Sequence, residues 1–463
     1  MNEVSPKRKQ AAKKKEEMIK TINNYRSHYN SIVRLGTPIV LGQLGNVILG
    51  FIDTIMVGQY SGQALSAAGF VNNIFNLGIF AMLGFSYGAT PIIGAFYGRR
   101  DDDNVGHSFR DSIWANILFG IIVMAAYTLL YLNLGNLDQP QELLPLMRPY
   151  FLTLLASLPF VMLFNSFKQF TDSVSATKTA LWVIVVGNLT NVLLNYLLIF
   201  GVGAIPEMGL LGAGIATLAS RTLMAILFAA LIIKQKRFRT YKTGFGARRS
   251  HRRDVTQLFK VGTPLAVQMG METASFSLAS LLMGWLGATE LAAFQVMCTT
   301  GSLCFLVYYG IAAAACIRIS HYRGRGEWNK VGETANASLH IILAVAMVLS
   351  AGIALFKNEL AATFTADTAI QAMFTAMLIP MLTYQVSDGI QINYANALRG
   401  IAVTKPMGIY AFISFILLAL PTSYLLGFTA GLGGIGVAYG LPVGLTAAAI
   451  LYCTRFRKEL KRR

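Results

Sequence analysis

The sequence has few charged residues. Asp, Glu, Lys and Arg together make up only 13% of the 463 residues, whereas a soluble domain has about 25%. Apolar residues make up 54% of the chain, and the mean hydropathy is +0.53. A soluble protein of this length needs far more polar surface. The composition therefore excludes an ordinary soluble enzyme and predicts an all-α integral membrane protein.

Cysteine, histidine and nucleotide-binding motifs are also scarce. The four cysteines lie in apolar runs without paired spacing, which is typical of packing residues. The five histidines lie in predicted tails, loops or helix ends, so no span interior offers imidazole to a soft metal. No Walker A sequence and no plausible Ser–His–Asp site is present. We therefore expect neither a cofactor nor an enzymatic activity.

Long apolar runs recur over the whole chain, and each is long enough to cross a bilayer as a helix. The twelve predicted spans cover residues 33–58, 66–97, 112–132, 149–171, 180–200, 210–233, 256–284, 292–317, 334–356, 373–397, 407–427 and 433–454.

The basic residues follow the positive-inside rule. With the N-terminus in the cytoplasm, 36 of the 39 Lys and Arg residues lie on the cytoplasmic side. The net charge of +18 then reflects anchors beside anionic lipid rather than a nucleic-acid surface. We predict a multi-pass protein of the bacterial inner membrane with both termini in the cytoplasm.

The sequence partly matches itself when it is shifted by 226 residues. "RLGTP" at Arg34–Pro38 aligns with "KVGTP" at Lys260–Pro264, and several glycines coincide without a gap. The repeat predicts two parallel six-helix bundles, the arrangement of transporters that bind their substrate between two halves. The predicted parts are a basic tail at 1–30, an N-lobe at 31–240, a basic linker at 241–253 and a C-lobe at 254–463.

Three carboxylates lie inside predicted spans, where a charge costs at least ~2.5–3.5 kcal/mol. At 1.5 Å per residue, Asp53 lies roughly 28 Å above the cytoplasmic anchor Arg34. Glu272 and Asp388 lie roughly 18 Å and 16 Å above theirs. Acids kept at such depth favour a functional role, although pairing with a buried cation such as Arg221 is an alternative.

Polar side chains are predicted at the same depths as these acids. Asn195 and Thr217 are level with Asp53, and Asn191 lies one turn from Asn195 on the same face. Tyr384 lies one turn from Asp388. Carboxylate, amide and hydroxyl oxygens suit a hard monovalent cation or a proton. For the N-lobe amides and Thr217, ordinary hydrogen bonding between helices is an equally good interpretation.

Six segments in order resemble the multidrug and toxic compound extrusion (MATE) family, in particular its NorM-type bacterial branch. They are "GFIDTIMVGQYSGQALSAAGF", "GATPIIGAFYG", "FTDSVSATKTA", "LTNVLLNYLLIFGVGAIPEMGLLGAGIAT", "METASFSL" and "YQVSDGIQINYANALRG". The resemblance covers nearly all of residues 31–456. It implies a monomeric twelve-helix antiporter that expels small organic cations in exchange for sodium or protons.

The resemblance also implies roles for single residues. Asp53, Asn191, Asn195 and Thr217 match the N-lobe polar cluster of the family, where some relatives have an aspartate in place of Asn195. Glu272, Tyr384 and Asp388 match a C-lobe site linked to sodium coupling. Two alternatives stay open: a lipid-linked oligosaccharide flippase of the same superfamily, which should carry basic residues in its cavity, and a cation channel.

Overall fold

The computed structural model describes residues 6–136, 140–203, 205–246 and 252–463, with side chains from Tyr25 to Gly246 and from Val255 onward. These residues form helices and connecting turns, without a strand in any of the four ranges. We number the twelve long helices by chain order: α1 Pro6–Tyr60, α2 Gly62–Ser86 with its continuation Ala89–Gly98, α3 Asp102–Leu132, α4 Leu144–Ser173, α5 Thr177–Phe200, α6 Gly209–Lys234, α7 Arg252–Leu286, α8 Ala288–Arg325, α9 Trp328–Leu355, α10 Thr368–Ala376 with Leu378–Gly400, α11 Lys405–Thr429 and α12 Gly433–Lys461.

Each predicted span corresponds to one of these helices, so the all-α membrane fold is confirmed. Among the described residues, ten helices are long and apolar enough to cross a membrane, and the two parts of α10, bent by 52°, make an eleventh. The twelfth, α7, is 35 residues long but carries Gln268 and Glu272 on its path. Helix α11 contains two stretches with wider, π-type turns, Phe412–Ala419 and Leu425–Thr429.

The helices pack around two apolar cores, one in each half of the chain. The first core is built mainly from α2–α6, and the second mainly from α7–α12. Each core also takes in a few residues from the other half: Ile32 and Leu35 join the second core, and Leu258 and Val261 join the first. The two lobes are therefore joined by apolar packing as well as by the chain.

We call the end of the bundle that holds the α2–α3, α4–α5, α6–α7, α8–α9 and α10–α11 connections the basic end, and the opposite one the distal end. Glycines bring α2 and α8 into backbone contact near the basic end. A Cβ atom at Gly98 would collide with the backbone of His321, and one at Gly324 would collide with the backbone of Ala95. Small residues allow membrane helices to approach in this way. We call this contact the glycine seam.

Polar groups and rings reinforce the glycine seam. Arg99 Nε donates to the Gly324 carbonyl at 2.9 Å, and His321 Nε2 lies 2.7 Å from the Ser173 carbonyl. The Arg399 guanidinium stacks on the Tyr87 ring, 4.4 Å from its centre. Within the described ranges, the hydrogen bonds and ring contacts between the lobes lie in the half nearest the basic end. The lobes are therefore closed against each other at that end.

Helix α1 contacts both lobes. Near the basic end, Gly36 packs against Gly310 of α8, and His28 lies 3.0 Å from the Thr334 hydroxyl of α9. Toward the distal end, α1 packs along α5, where Gly45 lies against Asn188. One helix thus spans the boundary between the lobes.

Three details differ from the sequence predictions. Helix α1 begins at Pro6, so much of the predicted tail 1–30 is a continuation of the first span. The predicted linker contains the short helix Lys242–Gly246, and its residues 247–251 lie outside the described ranges. His321 and His28, predicted in a loop and a tail, are buried on α8 and α1, because these helices extend beyond their apolar segments.

Candidate functional site

The N-lobe holds a hydrogen-bonded polar cluster around Asp53. Asn195 Nδ2 donates to Asp53 Oδ1 at 2.6 Å and to Asn191 Oδ1 at 3.1 Å. Asn191 Nδ2 in turn donates to the Ser220 hydroxyl at 3.2 Å. Helix α5 presents both amides because they lie one turn apart on the same face. The structure therefore brings together Asp53, Asn191 and Asn195 of the predicted N-lobe residues.

Thr217 lies beside this cluster rather than in it. Its hydroxyl donates to the Ala213 carbonyl within α6, and its own carbonyl accepts from Ser220. The side chain that completes the amide network from α6 is Ser220. Ser220 is three residues further along the helix, and a hydroxyl at this spacing carries no distinctive sequence signal.

A basic residue stands near Asp53 inside the N-lobe. Arg221 lies close enough to the Asp53 carboxylate and the Tyr150 hydroxyl to interact with both through charge. It is not paired with Asp53: in the described part of the chain, no ion pair within 4 Å joins them. Arg221 Nη1 instead donates to the Ser157 hydroxyl of α4 at 2.7 Å. The geometry therefore does not support the alternative that Asp53 forms a permanent ion pair with Arg221.

The C-lobe brings Glu272 of α7 next to Tyr384 and Asp388 of α10. The two carboxylates lie close enough to repel each other, and the Tyr384 hydroxyl lies near both. Tyr384 and Asp388 are buried, and Glu272 is half-buried. The Glu272 carboxylate has the Gln391 amide as its neighbour. All three predicted C-lobe residues are thus brought into one cluster.

In the described part of the chain, the C-lobe acids have no cationic partner in contact. Among the residues whose side chains are described, no Lys, Arg or His nitrogen lies within 4 Å of either carboxylate. Asp388 Oδ2 and Gln391 Oε1 are buried without a hydrogen-bond partner. Buried oxygen atoms without a donor suit a small hard cation or a proton.

Some polar residues near these clusters were not predicted. Gln385 accepts from the Tyr308 hydroxyl at 3.1 Å, and Tyr150 donates to Asn72 Oδ1 at 3.1 Å. Both pairs join helices that are far apart in sequence. Only the alternating spacing of polar residues from Tyr384 to Arg399 on α10 could have indicated Gln385 beforehand.

A buried ion pair lies at the end of α4. Lys168 Nζ lies 2.7 Å from Asp172 Oδ2 across one helical turn; Asp172 is buried and Lys168 is largely buried. The two residues have the i,i+4 spacing that places side chains on one face of a helix.

Two repeated six-helix lobes, each with a buried polar cluster and joined mainly at one end, define a two-lobed helical membrane protein of the kind whose halves move against each other. The MatE family model matches residues 38–197 and 264–425, once in each lobe. The chain belongs to the MATE family, and the double match confirms the internal repeat.

Individual relatives cover almost the whole chain. It is similar to the "Multidrug resistance protein NorM" of Vibrio cholerae, with 27% identity over 93% of this chain and 95% of the relative. It is also similar to the "Probable multidrug resistance protein NorM" of Mannheimia succiniciproducens, with 28% identity over 94% and 95%. A solved structure described as the outward-facing conformation of a multidrug resistance MATE transporter has the same fold, with a TM-score of 0.84 and 20% identity over 94% of this chain and 96% of that one.

Proposed function

We propose that this protein exports amphipathic organic cations across the bacterial inner membrane by alternating access, coupled to the entry of sodium or protons. The observation that carries the proposal is the pair Glu272 and Asp388, two neighbouring C-lobe carboxylates that have no Lys, Arg or His partner among the described side chains. Two like charges in a low-dielectric interior repel strongly unless a cation visits them.

The basic end faces the cytoplasm in this proposal, as the positive-inside rule predicts. The closed glycine seam then belongs to an outward-open state, in which the carboxylates can take up a cation from outside. The bound cation favours the conformation that has released the drug. Coupling requires that cation and drug prefer different states, since a ligand with equal affinity for both shifts nothing.

The drug would bind between the lobes, where Phe and Met side chains can adapt to different shapes. The names of the Vibrio and Mannheimia relatives support export of several compounds rather than one. Neither name bears on whether sodium or the proton is the coupling ion, so the experiment tests both ions.

The test uses purified protein in proteoliposomes loaded with ethidium as a fluorescent organic cation. A sodium gradient alone is applied first, and then a pH gradient alone, each with the membrane potential clamped. We expect at least one gradient to drive ethidium against its concentration, and protein-free liposomes to stay passive. Ion flux without counter-transport of ethidium would instead indicate a channel, and no response to either gradient would refute the proposal.

A further inference from the structure

We propose that Arg221 is a tethered competitor for Asp53, which occupies the carboxylate whenever the coupling cation has left it. This inference rests on the proposed cation-coupled function and assigns a coupling role to a residue of the N-lobe. In the state described here, the guanidinium is parked on Ser157 and the carboxylate is open to a cation. After the cation leaves, the guanidinium moves onto the carboxylate.

The parking site on Ser157 is well formed. Ser157 is fully buried, and its hydroxyl proton is already donated to the Leu154 carbonyl at 2.6 Å. The hydroxyl oxygen is therefore turned as an acceptor toward Arg221 Nη1, which donates to it at 2.7 Å. A hydrogen bond to a neutral hydroxyl is weaker than one to a carboxylate. The guanidinium is thus held in place but can be displaced.

The docking site at Asp53 is incomplete without a cation. Asp53 Oδ1 accepts from Asn195 Nδ2, while Asn195 Oδ1, 1% exposed as a residue, is a buried acceptor with no partner. The carboxylate and amide oxygens of two hydrogen-bonded side chains can together ligate a small cation. They can equally accept from a guanidinium, which carries five donors in a planar fork. The mobile cation and Arg221 would therefore use the same oxygens.

The free-energy cost of a buried carboxylate without a bound cation gives a competing guanidinium a role in cation release. A buried acid without a counter-charge is costly, so a cation bound to Asp53 alone would leave only slowly. A guanidinium within reach lowers that cost at the moment of release. The charged or titratable groups that face Asp53 from neighbouring helices are Arg221 of α6 and Tyr150 of α4, beside the amide of Asn195 on α5.

The test compares ethidium efflux by wild type, R221Q and S157A in proteoliposomes, titrated with sodium at fixed pH and, separately, with protons in the absence of sodium. For R221Q we expect the cation concentration at half-maximal efflux to fall about tenfold, within the roughly 5- to 150-fold range of coupling between sites. For S157A it should rise, because the guanidinium loses its parking site. R221K should shift less than R221Q, because the charge is kept and only the fork is lost.

Two controls separate competition from a structural effect. R148Q removes an exposed Arg on the distal side and should leave the titration unchanged. In a D53N background, R221Q should cause no further shift, since the competed carboxylate is gone. An unchanged titration in folded R221Q, a shift of S157A in the same direction as R221Q, or a shift that persists in D53N would overturn the inference. If wild type responds to a gradient but these variants do not differ, only this inference fails. If wild type responds to neither gradient, the proposed function fails and takes the inference with it.

Discussion

The acids on which the proposed function depends differ in how many hydrogen-bond donors surround them. In the N-lobe, Asp53 is solvated by Asn195 and has Arg221 nearby. In the C-lobe, Glu272 and Asp388 face each other, and one oxygen of Asp388 receives no donor. The sequence predicted that these acids lie within the membrane and at which depth, because a charged residue is easily recognised in an apolar run. It could not predict that Arg221 would be held by Ser157, 64 residues away in the chain.

Neutral replacement of the C-lobe acids tests their role directly. We expect E272Q and D388N each to reduce gradient-driven ethidium efflux at least about tenfold, because a cation loses half of its compensating charge. Efflux is measured as the initial rate in proteoliposomes of equal protein content. E359Q, at an exposed glutamate on the short helix Lys357–Phe364, is the control and should transport normally. Full sodium-driven efflux by both C-lobe variants would remove this site from the mechanism.

The Lys168–Asp172 pair should act on stability rather than coupling. K168M leaves a buried carboxylate unpaired, which typically costs about 3–5 kcal/mol in unfolding free energy. The double variant K168M/D172L replaces the whole pair by apolar side chains and should recover most of that loss. Thermal unfolding in detergent measures both. Equal destabilisation of the single and double variants would show that the pair itself is not what stabilises this end of α4.

At the scale of elements, the boundary between the lobes depends on glycine. Hydropathy indicated where the helices run, since each apolar stretch is its own signal. The contact of α2 with α8 had no such signal. It depends on glycines that pack against backbone more than 200 residues away in the chain. Hydropathy also did not indicate that α8 continues beyond its apolar stretch, to Arg325, and so places His321 in the glycine seam.

The glycine seam predicts how a single methyl group should change the conformational equilibrium. G98A places a Cβ against the backbone of His321, and overpacking of this kind costs about 1–3 kcal/mol. The state closed at the basic end should therefore lose population. We would measure this as faster labelling of S320C by a membrane-impermeant maleimide from the cytoplasmic side, in a background without the four native cysteines.

A matched control lies on the same helix. A Cβ at Gly69 of α2 meets nothing within 4 Å. The maleimide should therefore label S320C at the same rate with and without G69A. Equal labelling of G98A and G69A would mean that the seam does not limit opening.

At the scale of the whole molecule, the prediction of two six-helix lobes came from the repeat, and the double family match confirms it. The predicted orientation in the membrane rests on the distribution of charge alone. We expect an impermeant thiol reagent to label T243C, in the α6–α7 connection, from the cytoplasmic face only. With the reagent added outside, T243C should therefore react in inverted vesicles and not in right-side-out vesicles. E142C, before α4, should be labelled only from the opposite face. Reversed labelling would invert the direction of transport that we propose.

Helix α1 connects these scales. Asp53 lies on the part of α1 that packs on the N-lobe, while Gly36 and His28 of the same helix are fastened to α8 and α9 of the C-lobe. The lobes cannot separate at the basic end unless this rod flexes or breaks one set of contacts. Under the proposed function, cation binding at Asp53 would therefore act on a helix whose other end is held in the C-lobe, and would be transmitted through α1 to the lobe that contains Glu272 and Asp388.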